Sequence, residues 1–142
     1  MLEQLTTLEQ VYAVAKDDPV RPHIAADWRL RAGKEVYALK NTQGDVRAVI
    51  CVAYMDEVPT CEQDMKWPGI EVAVFYTVWS YDRGAGREIV LAAANHIKRT
   101  KQNIKRWVTL SPLTEMAEKF HLRNGAQLIA RHKYAQNFEY TL

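Results

Sequence analysis

A single mixed α/β domain is the fold class this sequence predicts, and three observations carry the prediction. An apolar run from Ile70 to Trp79 leads into the glycine-rich stretch Tyr81-Asp82-Arg83-Gly84-Ala85-Gly86-Arg87, and a helix-patterned segment leads out of it to about Thr100. Two runs rich in Val, Ile, Tyr and Ala, Glu35 to Lys40 and Val46 to Met55, flank Asn41-Thr42-Gln43-Gly44-Asp45 as the arms of a hairpin flank its turn. Helical and strand patterns then alternate to the C-terminus, so the predicted order is α-α-β-β-β-α-β-α-β-β. At 142 residues, 48% hydrophobic and 25% charged, the chain suits one soluble domain with its own core.

Taken in order, Thr6-Thr7-Leu8-Glu9 reads as a capping box in which the Thr6 hydroxyl and the Glu9 carboxylate satisfy the first free amides of a helix. Leu8, Val11, Tyr12 and Ala15 give that helix an apolar stripe, and Asp17-Asp18-Pro19 stops it. A second helix is expected after Pro22 on Ile24, Ala25, Trp28 and Leu30, ending at Gly33. The hairpin follows, then a loop from Asp56 to Gly69 that is long for a compact domain and so a candidate for function. Within it Trp67 either walls a pocket or folds back on the core.

The run Ile70 to Trp79 is apolar on both alternating faces, the mark of a central strand covered on both sides; Glu71 and Thr77 are its exceptions. After the glycines, Ile89, Val90, Ala93, Ala94 and Ile97 recur at helical spacing. The basic end of that helix, Lys98 to Arg106, complements the helix dipole. Arg106 to Leu110 is a short strand. Ser111-Pro112 reads as a cap and first helical residue, with Leu113, Met116, Ala117 and Phe120 as the buried stripe and Asn124-Gly125 as the stop. Gln127 to Arg131 and Asn137 to Thr141 are the last two strands.

Composition narrows the function. No apolar run approaches the ~18 residues a membrane span needs and no signal-peptide pattern opens the chain, so a cytoplasmic protein without membrane contact is expected. A formal charge of +2 makes nucleic acid an unlikely partner by electrostatics. Cys51 and Cys61 lack CxxC spacing, and His23, His96, His121 and His132 form no HExxH pair, so no metal is expected. The glycine turn is the remaining signal. A strand, a glycine-rich turn and a helix point backbone N–H groups and a positive helix end at an anion, usually phosphate.

This order, with Gly84-Ala85-Gly86 between central strand and helix, resembles the GNAT family of acyl-CoA-dependent N-acyltransferases. The family signature is Gln/Arg-x-x-Gly-x-Gly/Ala. Arg87, Ile89 and Val90 also fit it, whereas Tyr81 stands at the Gln/Arg position and Arg83 could supply the charge. A second resemblance lies in Thr114-Glu115-Met116-Ala117-Glu118-Lys119-Phe120-His121-Leu122-Arg123-Asn124-Gly125-Ala126. There Ala117, Phe120 and Gly125 keep the family's later motif, while Thr114 replaces its Asn and His121 stands where it often has tyrosine. The C-terminal part also resembles small GNAT-like proteins of tailed phages, for which the host cytoplasm would be the location.

The resemblance implies a GNAT-like fold over residues 1–142, a central mixed sheet with helices on both faces. Residues 1–33 would form a helical acceptor-side segment, 35–100 the sheet and coenzyme A turn, and 105–142 a C-terminal βαββ part. It implies acetyl-CoA as acyl donor and direct attack by a primary amine, on a small molecule or a protein. The backbone of Arg83, Gly84, Ala85, Gly86 and Arg87 would hold the pyrophosphate. Phe75, Tyr76 and Val78 on the central strand would meet the pantetheine arm, with Tyr81 and Thr114 beside it.

In the catalytic roles, Glu71 is implied as the base that takes the amine proton, against a solvent-facing strand end. His121 is implied as the acid that protonates the thiolate, against a histidine that only packs. The acceptor, acyl chain length and oligomeric state, possibly a homodimer, are left open. Two other functions compete: a GNAT-like binding or virion protein without catalysis, and acyl transfer to a nucleobase or a tRNA-linked amine.

Overall fold

The computed structural model describes residues 1–142. One seven-stranded sheet runs through it: β1 (Leu2–Leu5), β2 (Lys34–Lys40), β3 (Val46–Met55), β4 (Val72–Ser80), β5 (Arg106–Thr109), β6 (Gln127–Arg131) and β7 (Gln136–Tyr140), in spatial order β1-β2-β3-β4-β5-β7-β6. Every neighbouring pair is antiparallel except β4 and β5. The helices are α1 (Leu8–Ala15), α2 (Ala85–Thr100) and α3 (Glu115–Arg123).

The sheet separates two apolar cores. On one face α2 lays Ile89, Val90, Ala93, Ala94 and Ile97 against Ile50, Val52 and Phe75, all buried. On the other, α1 and the following segment cover Val36, Val49, Val74 and Tyr76. Central strands buried on both faces explain the near-continuous apolar runs of β3 and β4. Each fully buried Ile or Val contributes roughly 1.5–3 kcal/mol.

Several expectations are corrected. The first five residues do make a strand, because Leu2 to Leu5 pair with Leu39 to Val36. The capping box sits one residue later than expected: Thr7 Oγ1 accepts from Gln10 N–H at 3.2 Å, and the Gln10 side chain accepts from Thr7 N–H at 3.2 Å. The expected helix over 22–33 is not formed; only Trp28–Leu30 makes a 3-10 turn. Its backbone is held instead by buried side chains, described below. In the loop at 56–69, Glu62–Lys66 form another 3-10 turn that buries Met65, while Trp67 is 70% exposed and lies outside the lining of the cavity described below.

The third helix is also shifted. Thr114, not Ser111, is its cap, accepting from Ala117 N–H, and Ser111 bridges to Gln136. Leu113 and Met116 are exposed rather than buried. No helix is long and apolar enough to cross a membrane. No cluster of three His, Cys, Asp or Glu side chains is placed to hold a metal ion.

Candidate active site

Two strands that run parallel and then part create the site. Pairing between β4 and β5 ends at Phe75–Thr109, with one further bond from Leu110 N–H to Phe75 C=O. Beyond that point Ser111 leaves for β7, while β4 continues to Ser80. A bulge opposite Cys51 and Val52 inserts Tyr76 as an extra residue and bends β4 just where the neighbours part. The gap is a cavity of about 340 Å³. Phe75 to Ser80 form one wall, Leu110 to Pro112 another, and Thr114, Met116, Ala117, Phe120 and His121 the third. The exposed stripe of α3 is thereby explained: the helix lies over the opening, so its apolar residues line a cavity.

Pro19 and Val20 close the cavity from the α1 side, and a buried polar network holds them. Asp18 Oδ1 accepts from Val20 N–H (2.8 Å), Arg21 N–H (2.9 Å) and the Thr77 hydroxyl (2.9 Å). Its Oδ2 pairs with Arg29 Nη1 at 2.8 Å, and both side chains are 0% exposed. Arg29 also donates to the carbonyls of Arg21 and Ile24. Arg21 donates to Glu62 at 2.8 Å and to the Tyr76 carbonyl at the bulge. These side chains saturate backbone groups that a helix would otherwise satisfy, which is why residues 22–33 need none.

At the far end of β4 lies the glycine turn. Gly84 caps α2 with φ +82°, a conformation costly for any side chain. A Cβ on Gly86 would stand 3.2 Å from the Phe120 ring, so this close approach of α2 to α3 also favours glycine. No side chain caps α2. In its first turn Ala85 N–H reaches Asp82 and Glu88 N–H reaches Gly84, but Gly86 and Arg87 have no such bond in the turn. Arg83 and Arg87 are exposed and neither pairs with a carboxylate, whereas nearby Arg47 pairs with both Asp82 and Glu88. Free amides, a helix N-terminus and two unpaired cations are a donor set suited to a phosphate.

His121 sits where α3 meets β7. It is 6% exposed, stacks on Phe138, and its Nδ1 lies 2.7 Å from the Tyr140 hydroxyl. Burial lowers its pKa to about 4, so the ring is neutral at neutral pH. Beside this pair Arg87 Nη1 donates to Asn124 Oδ1 at 3.4 Å, and the buried Asn124 amide nitrogen has no partner. With the Tyr140 hydroxyl donating to Nδ1 the ring carries its hydrogen on Nε2; in the other tautomer Nδ1–H donates to Tyr140 and Nε2 is the free nitrogen.

The same burial has a pH signature. Above pH 6.5 His121 is neutral folded or unfolded. As pH falls toward 4 the unfolded chain takes up a proton that the folded one refuses, so this residue removes about 3 kcal/mol of stability over that window and nothing more below it. Denaturant unfolding at pH 7 and pH 4 should show that difference in the native chain relative to His121→Phe.

Of the residues singled out in the sequence, Phe75, Tyr76, Val78, Gly86, Thr114 and His121 share the cavity. Gly84, Ala85 and Arg87 adjoin it along the turn and α2. Arg83 is on the exposed turn outside the lining. Tyr81 faces the α1 side: its hydroxyl donates to Asp17 at 2.7 Å and accepts from Trp79 Nε1. Glu71 is not on the central strand but just before it, exposed, paired with Lys105 and at the end of β4 opposite the opening. It is not among the residues that line the cavity. Sequence reading missed Asp18, Arg21, Arg29, Asn124 and Tyr140. Asp17-Asp18-Pro19 read as a helix stop, and no local pattern joined Asp18 to Arg21 and Arg29.

The sequence matches no family model and no curated protein. Solved structures do match the fold. Malonyl-CoA decarboxylase from Agrobacterium vitis superposes with a TM-score of 0.80 at 17% identity over 100% of this chain and 60% of that one. The decarboxylase from Cupriavidus metallidurans matches at 0.60 and 18%, over 86% of this chain and 33% of that one, so the chain spans less than two thirds of either. An acetyltransferase from Bacillus subtilis, solved in complex with CoA, matches at 0.69 and 11%, over 99% of this chain and 97% of that one. Together with the GCN5 match from Tetrahymena (0.66, 12%, 98% of this chain and 94% of that one), these give the chain the GNAT acyl-CoA N-acyltransferase fold, a mixed sheet with helices on both faces.

Proposed function

We propose that the chain is an acyl-CoA-dependent N-acyltransferase that holds the thioester in the opening between β4 and β5. One observation carries this reading: the cavity left by the parting strands runs to Gly86, where the first turn of α2 leaves amides of Gly86 and Arg87 without partners beside Arg83 and Arg87. A long ligand with a diphosphate at one end and an apolar arm fits such a site. CoA bound to a protein of the same fold supports the choice of donor; acetyl-CoA is the acyl donor proposed.

In the reaction an amine nitrogen attacks the thioester carbon, the C–S bond breaks, and the proton lost by nitrogen ends on sulfur. The chain supplies position and charge stabilisation. Thr77 to Ser80 present strand backbone with no β5 neighbour, which can pair with an extended amide-bearing arm. With the Tyr140 hydroxyl donating to Nδ1, the neutral His121 ring donates from Nε2 to the thioester oxygen as negative charge develops on it, a role for which an unprotonated imidazole is suited. Tyr140 is a positioning residue that fixes the tautomer.

The binding step is tested by thermal and chemical unfolding with acetyl-CoA. At a hundred times its dissociation constant the ligand should add about 2.7 kcal/mol, and Gly86→Val, which forces a side chain toward Phe120 and into the cavity, should abolish the gain. A second reading rests on the higher TM-score of the decarboxylase match: the same site would break the C–C bond to the carboxylate of malonyl-CoA, releasing carbon dioxide, and the α-carbon would take up a proton to leave acetyl-CoA with its thioester intact. Carbon dioxide released from malonyl-CoA in the absence of any amine would favour it.

A further inference from the structure

The cavity contains no formal charge. None of its lining residues is Asp, Glu, Lys or Arg. We propose that the acceptor is an uncharged nucleophile, a weakly basic aromatic amine, and not an alkylammonium such as a lysine side chain or a polyamine. The inference rests on the acyltransferase reading and names its substrate class.

An alkylamine has a pKa of about 10.4, so at pH 7 roughly one molecule in 2500 is neutral. To use it, a site must attract the ammonium and then take its proton, which needs a carboxylate or a basic nitrogen within reach. The one carboxylate that hydrogen-bonds a lining side chain is committed elsewhere. Asp18 touches Thr77 but is saturated by two backbone amides, that hydroxyl and Arg29. Asp17 accepts from Tyr81, Asp82 pairs with Arg47, Glu115 with Lys119 and Glu118 with Arg131.

The second charge touching the wall has the wrong sign. Arg21, buried, donates to the carbonyl of Tyr76 and so occupies a partial negative charge that could have steadied an ammonium. His121, the only imidazole in the lining, is held at Nδ1 by the Tyr140 hydroxyl and kept neutral by burial, which makes it a poor proton acceptor. What remains on the acceptor side is Pro19, Val20, Trp79, Leu110 and Pro112, with the hydroxyls of Thr77 and Ser111. An aromatic ring packs well there. An amine that arrives neutral needs no base before attack, and its proton leaves for the sulfur afterwards.

The test is thiol release from acetyl-CoA by the purified protein with aniline, 4-methoxyaniline, butylamine and spermidine between pH 6.5 and 9. Expected is a kcat/KM for the aromatic amines at least tenfold above butylamine at pH 7 and flat across the range. Equal or faster turnover of butylamine or spermidine at pH 7 overturns the inference and leaves the acyltransferase reading standing. So does acetyl-CoA binding, seen by calorimetry, with turnover of none of the four. Absence of acetyl-CoA binding removes both.

Discussion

Replacing Asp18 by alanine is expected to cost about 3–5 kcal/mol of folding free energy. The magnitude follows from what is left behind. Arg29, fully buried, loses its only carboxylate, and the Thr77 hydroxyl and two backbone amides lose their acceptor. An uncompensated buried cation is far more costly than a weakened surface pair, of which Arg31–Asp27 is an example worth well under 1 kcal/mol. Since small domains are stable by only about 5–15 kcal/mol, the variant should lie near its unfolding threshold. Urea titration of Asp18→Ala, with Asp27→Ala as control, checks this. A loss for Asp18→Ala no larger than for Asp27→Ala would contradict the network as the tie between the N-terminal segment and β4.

The largest expected effect on activity is at His121. His121→Phe keeps the stack on Phe138 but removes the Nε2–H donor, and kcat for thioester cleavage should fall about 100–1000-fold, as loss of one donor to a developing oxyanion does. Affinity for acetyl-CoA should hardly change, because the turn at Gly84 is untouched. Tyr140→Phe should fall between the two. It leaves the imidazole in place but frees its tautomer, so kcat drops while KM stays. Steady-state kinetics at pH 7.5 separate these outcomes. If His121→Phe retains native kcat, the ring only packs.

Most of the sheet could be read from the chain because β3, β4 and α2 obey their periodicities without interruption: apolar on both faces for the strands, Ile89 to Ile97 at helical spacing. The same held for Gly84-Ala85-Gly86, since a turn that needs φ +82° and a close approach writes itself as glycine. What was not legible was decided by long-range contacts. Residues 22–33 carry a passable helical stripe, yet Arg29 and Asp18 satisfy that backbone from the side and a helix is not formed. Glu71 continues the backbone bonding of β4, to Met55 on one side and Lys105 on the other, but its side chain is exposed and paired with Lys105, 34 positions along the chain. His121 was found through its place in a motif. Its neutrality was not, because that comes from burial against Phe120, Phe138 and Tyr140, which no local pattern joins.

The central claim, that the parted strands and the glycine turn hold the donor, is tested most directly by mapping amide chemical shifts of the ¹⁵N-labelled protein during titration with acetyl-CoA. The amides of Gly84, Gly86 and Arg87 should shift together with those of Thr77 to Ser80, saturating along one binding curve, while those of β1 and β6 stay in place. No shift at these amides at millimolar acetyl-CoA, or shifts confined to another surface, would contradict it.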